Sequence, residues 1–368
     1  MAQRRGTMLE GNGNRMGEAA PAGGFAALCA AVQANCHVTD ARHARNMTLC
    51  TYLLEMREFC RWERRAALTA PLPRADVGAW IAGREALWET LEDADYGPLP
   101  VAGEDVDPYD TSTVNRTLVP QGHVYGAGIG RFGKPQFFLG VLEREEWRDG
   151  LRILVAGREL ARDLSAAPAA LRDDTVSIRL ESLARVLWER AEAWALKRPD
   201  GALKAALDAH RFDPADAASL DRMVAAEAET LILHELGERA AGRTLGPGWE
   251  EMLAGFARRR AELFARAVRD HLADCLVTLP TLMERDAPAP IHFWFANLDG
   301  LRRELFPRAI GAYEAWRGGD CGRALRAAVA AGVDHWRRVC ANVLRVGDGS
   351  PDTESAIETF SLAPALRL

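Results

Sequence analysis

At 368 residues, 48% hydrophobic and 27% charged, the chain has the balance of a globular protein with a substantial core, in one large domain or two ordinary ones. A net charge of -6 and a pI near 5.8 argue against nucleic acid or an anionic membrane as a partner held by bulk electrostatics. The seven cysteines include no C-x-x-C pair, which excludes a disulfide framework or zinc ribbon and leaves reduced thiols in a cytoplasmic protein.

No apolar run reaches the roughly 18 residues of a membrane helix, and residues 1–24 lack the apolar stretch of a signal peptide. Only Lys134, Lys197 and Lys204 are lysines among 46 basic residues. With so much Ala, Arg and Gly, this reads as bacterial high-GC coding bias rather than as an arginine-based function.

Residues 1–24 are Gly-rich and polar and are expected to form a disordered tail. Phe25 to Asn35 predicts a short helix. A second runs from about Arg45 to Ala67, with Leu49, Tyr52, Leu53, Met56, Phe59 and Cys60 at helical spacing. Between them, Thr39 or Asp40 is expected to cap the second helix, with His37 and His43 beside it. In the alternative, a helical segment sets His37, Asp40 and His43 three apart on a drifting face. A further helix starts near Asp76 and ends near Leu91, and 93–121 reads as loop. From His123 to Leu180 the period shortens to that of strands: 124–129, 136–142, 151–156 and 175–180, with Arg131 to Pro135 turning the first into the second. A small antiparallel sheet follows from this.

Helical periodicity returns from Glu181, in segments 181–197, 215–241, 249–279, 292–306, 308–316 and 321–346. The break Arg198-Pro199-Asp200-Gly201 divides an N-terminal α+β domain, 25–200, from a C-terminal all-α domain, 201–368. The expected fold class is α+β and mainly α-helical: a helical N-terminal segment, the small antiparallel sheet, then a helical C-terminal half.

The segment 215–241 carries the strongest chemical signal. Glu227, His234 and Glu238 fall within about 60° of the centre of the stripe formed by Leu220, Val224 and Leu231. Charged groups on a buried face are costly unless paired or bound to metal. His234 and Glu238 stand one turn apart, which suits two ligands of one ion. The next helix adds His271 and Asp274 on its own stripe, and helical bundles build carboxylate-bridged di-metal sites in this way. Antiparallel pairing nevertheless separates His234 from His271 by roughly 20 Å along the bundle, unless the second helix kinks or ends early. Ligands from the N-terminal half, His37 or His43, fit Glu227, His234 and Glu238 equally well. Pairing with Arg239, Arg243 or Arg258 to Arg260 is the structural alternative. The string His234-Glu235-Leu236-Gly237-Glu238 is not the zinc-protease His-Glu-x-x-His, since its fifth position is Glu238.

The run Gly126 to Pro135 holds four glycines, with Arg131 and Lys134 as candidate anion ligands. It departs from the phosphate-binding loop because Pro135 occupies the hydroxyl position and a strand follows. A Gly-rich hairpin is the plainer reading.

Four strings together resemble an uncharacterised bacterial family: Cys36-His37-x-x-Asp40-Ala41-x-His43 with Tyr52 to Glu63; Gly130 to Leu139; Gly157 to Asp163; and His234 to Glu238. The resemblance implies an N-terminal and a C-terminal unit and brings no catalytic residues. Two functional readings follow. The first is a cytosolic metal-dependent enzyme, using a divalent metal or a di-iron centre in the manner of helical metal-carboxylate oxidoreductases, with an unknown small molecule or protein as partner. The second is a non-catalytic binding or assembly protein whose buried polar residues are structural.

Overall fold

The computed structural model describes residues 22–348 and 352–368. Most of the expected tail, residues 1–21, lies outside the described residues. Among those described, helix dominates, and no helix is long and apolar enough to cross a membrane.

The N-terminal half opens with α1 (Ala22–His43), α2 (Leu49–Glu63) and α3 (Arg74–Glu89). A hairpin, β1 (Leu99–Val101) and β2 (Glu104–Val106), and helix α4 (Thr111–Leu118) occupy the stretch expected as loop. The hairpin turns on Ala102 and Gly103, both with positive φ. Ala-Gly achieves the geometry of the usual Asn-Gly turn without its sequence signal. The expected break before residue 43 is absent, since α1 is continuous through His37 and Asp40. The helix after it is capped by Thr48, which accepts the Thr51 N–H. Asp40 therefore caps nothing.

The sheet comprises β3 (His123–Ile129), β4 (Pro135–Arg148), β5 (Leu151–Arg162), β6 (Ala169–Arg172) and β7 (Thr175–Arg179), in spatial order β3-β4-β5-β7-β6. Its hairpins are antiparallel as expected, and the β5–β7 pair is parallel. The glycines of β3 make room for neighbours: a Cβ on Gly126 would lie 2.1 Å from the Phe138 ring, and one on Gly128 2.4 Å from Arg172. The α1 side of the sheet buries Tyr125, Phe137 and Leu139. Leu151, Ile153, Val155, Val176 and Ile178 instead join the core of the helical half.

That half contains α5 (Leu180–Lys197), α6 (Ala202–His210), α7 (Ala217–Leu245), α8 (Pro247–Ala254) and α9 (Arg259–Ala273). A π-helical turn, Asp274–Thr278, leads into α10 (Leu279–Glu284). Then follow α11 (Pro288–Ala296), α12 (Gly300–Leu305), α13 (Pro307–Arg317), α14 (Arg323–Asp348) and α15 (Thr353–Phe360). The segment 249–279, expected as one helix, is broken between α8 and α9. This break lets α9 run beside α7 with its C-terminal end against residues 234–238. A Cβ on Gly237 would lie 2.5 Å from the Ala273 carbonyl oxygen, so the two backbones meet there.

Candidate metal centre

Where α7 meets the end of α9, two turns of helix deliver a dense set of ionisable groups. His234 points Nδ1 at Asp274 Oδ1, 2.8 Å away, and turns Nε2 toward Glu238 Oε1 at 3.5 Å. One turn before Asp274, Asp270 brings a carboxylate to the same place. Ligand atoms of His234, Glu238 and Asp270 all lie within 4.8 Å of one another. Asp274 also binds the Arg302 guanidinium from α12. Arg269 reaches Glu238 at 2.5 Å and Asp270 at 3.3 Å.

Burial and charge push these groups apart in proton affinity. Burial alone would lower His234, but Asp274 and Glu238 outweigh it and hold the imidazole well above its ordinary value. Burial would raise Glu238 and Asp274. Arg269 and His234 bring Glu238 down, and His234 and Arg302 bring Asp274 down. Burial and then the neighbouring Glu238 charge raise Glu235 instead. The Asp274–His234 hydrogen bond fixes the ring and leaves Nε2 facing Glu238. Metal-bound histidines are commonly held this way, with the second ring nitrogen on a carboxylate.

Of the residues expected as ligands, the fold gathers His234, Glu238 and Asp274, with Asp274 orienting His234 from behind. Glu227 lies elsewhere, two turns earlier and about 10 Å along the helix. It pairs with His210 Nε2 at 2.8 Å. His271 faces away from the cluster, stacked on Trp336 with centroids 4.6 Å apart and bonded to the Arg302 carbonyl at 2.9 Å. Burial and Arg302 push it down to about 3. His37 sits in the N-terminal half against Arg84 Nη1, 2.9 Å away, and Trp88. Burial and Arg84 lower it to about 4. His43 ends α1 and lies on the Lys134 side of that half, where burial and then Lys134 lower it. Asp270 is not among the ligands that the sequence pattern marks. Its signal is its position one turn before Asp274, on the buried face of α9.

The two residues expected to bind an anion diverge. Arg131 is exposed at the hairpin tip. Lys134 turns inward, with Nζ 2.8 Å from Ser165 Oγ and 3.5 Å from Asp40 Oδ1. Beside Arg131, the Phe132 N–H donates to Glu262 of α9, which ties the hairpin to the helical half.

Fold and site together define a mainly helical α+β protein with a His–carboxylate–arginine cluster between two antiparallel helices. Residues 27–179 match the N-terminal domain model, and residues 184–361 the C-terminal domain model, of one family of unknown function (DUF6866). The chain belongs to this family. No curated protein and no solved structure matches it.

Proposed function

We propose that the protein is a metal-dependent enzyme with a single divalent ion held by His234 Nε2, Glu238 and Asp270. One observation carries this reading: the 3.5 Å gap between His234 Nε2 and Glu238 Oε1 is long for a charged hydrogen bond. Bonds of roughly 2.0–2.1 Å in a tetrahedral site place neighbouring ligand atoms roughly 3.3 Å apart. A His and two carboxylates suit zinc, manganese or ferrous iron, and such an ion supplies Lewis-acid chemistry when bound. The single-ion version replaces the di-metal arrangement, because Glu227 and His271 are engaged elsewhere. His234 Nε2, Glu238 and Asp270 would hold such an ion once Nε2 gives up its proton and the two carboxylates give up their contact with Arg269.

The Arg269 guanidinium favours a second reading. It joins Glu238 and Asp270 as a metal would, and a network closed by arginine is a structural element of a non-catalytic protein. Cobalt(II) titration of the full chain separates the two. The metal reading expects visible ligand-field absorption that saturates at one equivalent and disappears in His234→Ala. The structural reading expects none.

A further inference from the structure

Three stretches far apart in sequence converge in the N-terminal half: Asp40 from α1, Lys134 from the β3–β4 connection, and Asp163 to Ala166 just after β5. Asp40 is fully buried. Both its oxygens accept the Leu164 N–H, at 3.1 and 2.9 Å, and Oδ1 lies 3.5 Å from Lys134 Nζ. On its other side, Lys134 Nζ lies 2.8 Å from Ser165 Oγ. Asp40, Lys134 and Ser165 thus form a chain from a buried carboxylate, through an amine, to a hydroxyl that is only partly buried.

The backbone around the serine is constrained. Asp163 Oδ1 accepts the Ala166 N–H at 2.8 Å, and Arg185 Nη2 holds the Ser165 carbonyl. Ala166 has φ of +43°, a conformation that costs a non-glycine residue on the order of 1 kcal/mol or more. The left-handed residue directly after Ser165 closes a tight turn just beyond β5. Nearby, Asp163 Oδ2 is buried without a hydrogen-bond partner among the described residues.

We infer that Ser165 is a nucleophile for acyl transfer from a small ester or amide, with Lys134 as its base and Asp40 as the group that holds the proton Lys134 gives up. Serine–lysine pairs are an established alternative to the serine–histidine arrangement. Ser165 Oγ bonds to the acyl carbon as its proton passes to Lys134 Nζ. The tetrahedral species collapses, and the departing alcohol or amine leaves with that proton. Water then attacks the acyl-serine, again losing a proton to Lys134. The acid is released and the Ser165 hydroxyl is restored.

The resting pair holds the amine charged, and its base form requires that Asp40 take the proton. Burial is the largest influence on Lys134 and lowers it, while the charges of Asp40 and Asp163 outweigh burial and raise it. Burial raises Asp40 to about 7. Once Asp40 takes a proton, its charge no longer opposes burial at Lys134, and the buried ion pair becomes a neutral pair.

A fluorophosphonate probe tests this on the full chain, with intact-mass readout and peptide mapping. The serine oxygen displaces fluoride and forms a phosphonyl ester. The expected result is one adduct per chain, mapped to Ser165 and absent in Ser165→Ala. Lys134→Ala, and independently Lys134→Arg, should label at least ~100-fold more slowly, the scale of general-base assistance. Lys134→Arg keeps a positive charge beside Asp40 but cannot act as a base. Melting curves and circular dichroism establish that the variants are folded, and if one lysine variant unfolds the other decides. No adduct on the wild type, an adduct elsewhere, or equal labelling in a folded lysine variant overturns the assignment.

Discussion

Asp274 Oδ1 receives His234 Nδ1 at 2.8 Å, while its other oxygen holds Arg302. One buried carboxylate thus joins α7, the π-helical turn and α12. Asp274→Ala removes the partner of two cationic groups at once. Breaking a buried pair in this way costs about 3–5 kcal/mol, so the midpoint of a urea melt should fall accordingly. Where the fold persists, loss of this supporting carboxylate should also weaken metal binding roughly 10–100-fold. A variant as stable as the wild type would show that the junction does not depend on Asp274.

His271 provides the contrast. It is fully buried against Trp336 and Phe306, and its imidazole faces away from the cluster. His271→Ala should destabilise the chain by about 2 kcal/mol or more through the cavity it leaves. The cobalt spectrum should remain unchanged. Loss of the spectrum in a folded His271→Ala variant would return that residue to the ligand set.

Gly237→Ala should act through geometry alone. The added Cβ would lie 2.5 Å from the Ala273 carbonyl oxygen, and backbone does not yield as a flexible side chain does. Prising α7 from α9 should cost about 1–3 kcal/mol and lengthen the His234–Asp274 contact. Hydrogen exchange of the α9 amides, faster than in the wild type, would record it.

The part of this site legible in the sequence was the part on one helix. Glu227, His234 and Glu238 stand on an apolar stripe, and that local pattern marked the helix. Which of them meet was decided by the break between α8 and α9, which brings Asp270 and Asp274 rather than His271 to His234. Gly255 was the local sign of that break, but the apolar spacing of Leu253, Phe256 and Leu263 ran through it. Around Asp40 the local signal misled. A capping residue and a buried carboxylate look alike in sequence, and the group that settles the matter, the Leu164 N–H, lies 124 residues away. Ser165 had no periodic or motif signal, because its setting comes from Lys134 and Asp40 through tertiary structure.

The pH dependence of stability should report Asp40. Burial raises it from 3.8 to about 7 in the folded chain, so between these values the native state binds the proton that the unfolded state has lost. Stability from this group is therefore greatest near pH 4 and declines as pH rises toward 7. Asp40→Asn should remove that slope, so the difference in unfolding free energy between variant and wild type should change by about 3 kcal/mol between pH 4.5 and 8. Parallel profiles would mean that Asp40 ionises normally in the folded protein.

Calorimetric titration of the metal-free full chain with zinc or manganese decides whether His234, Glu238 and Asp270 hold an ion. The wild type should bind one ion per chain and folded His234→Ala none. Arg269→Gln should bind more tightly, because the guanidinium no longer competes for Glu238 and Asp270. No binding by the wild type, or undiminished binding by His234→Ala, would contradict it and leave the cluster a buried ion-pair network closed by Arg269.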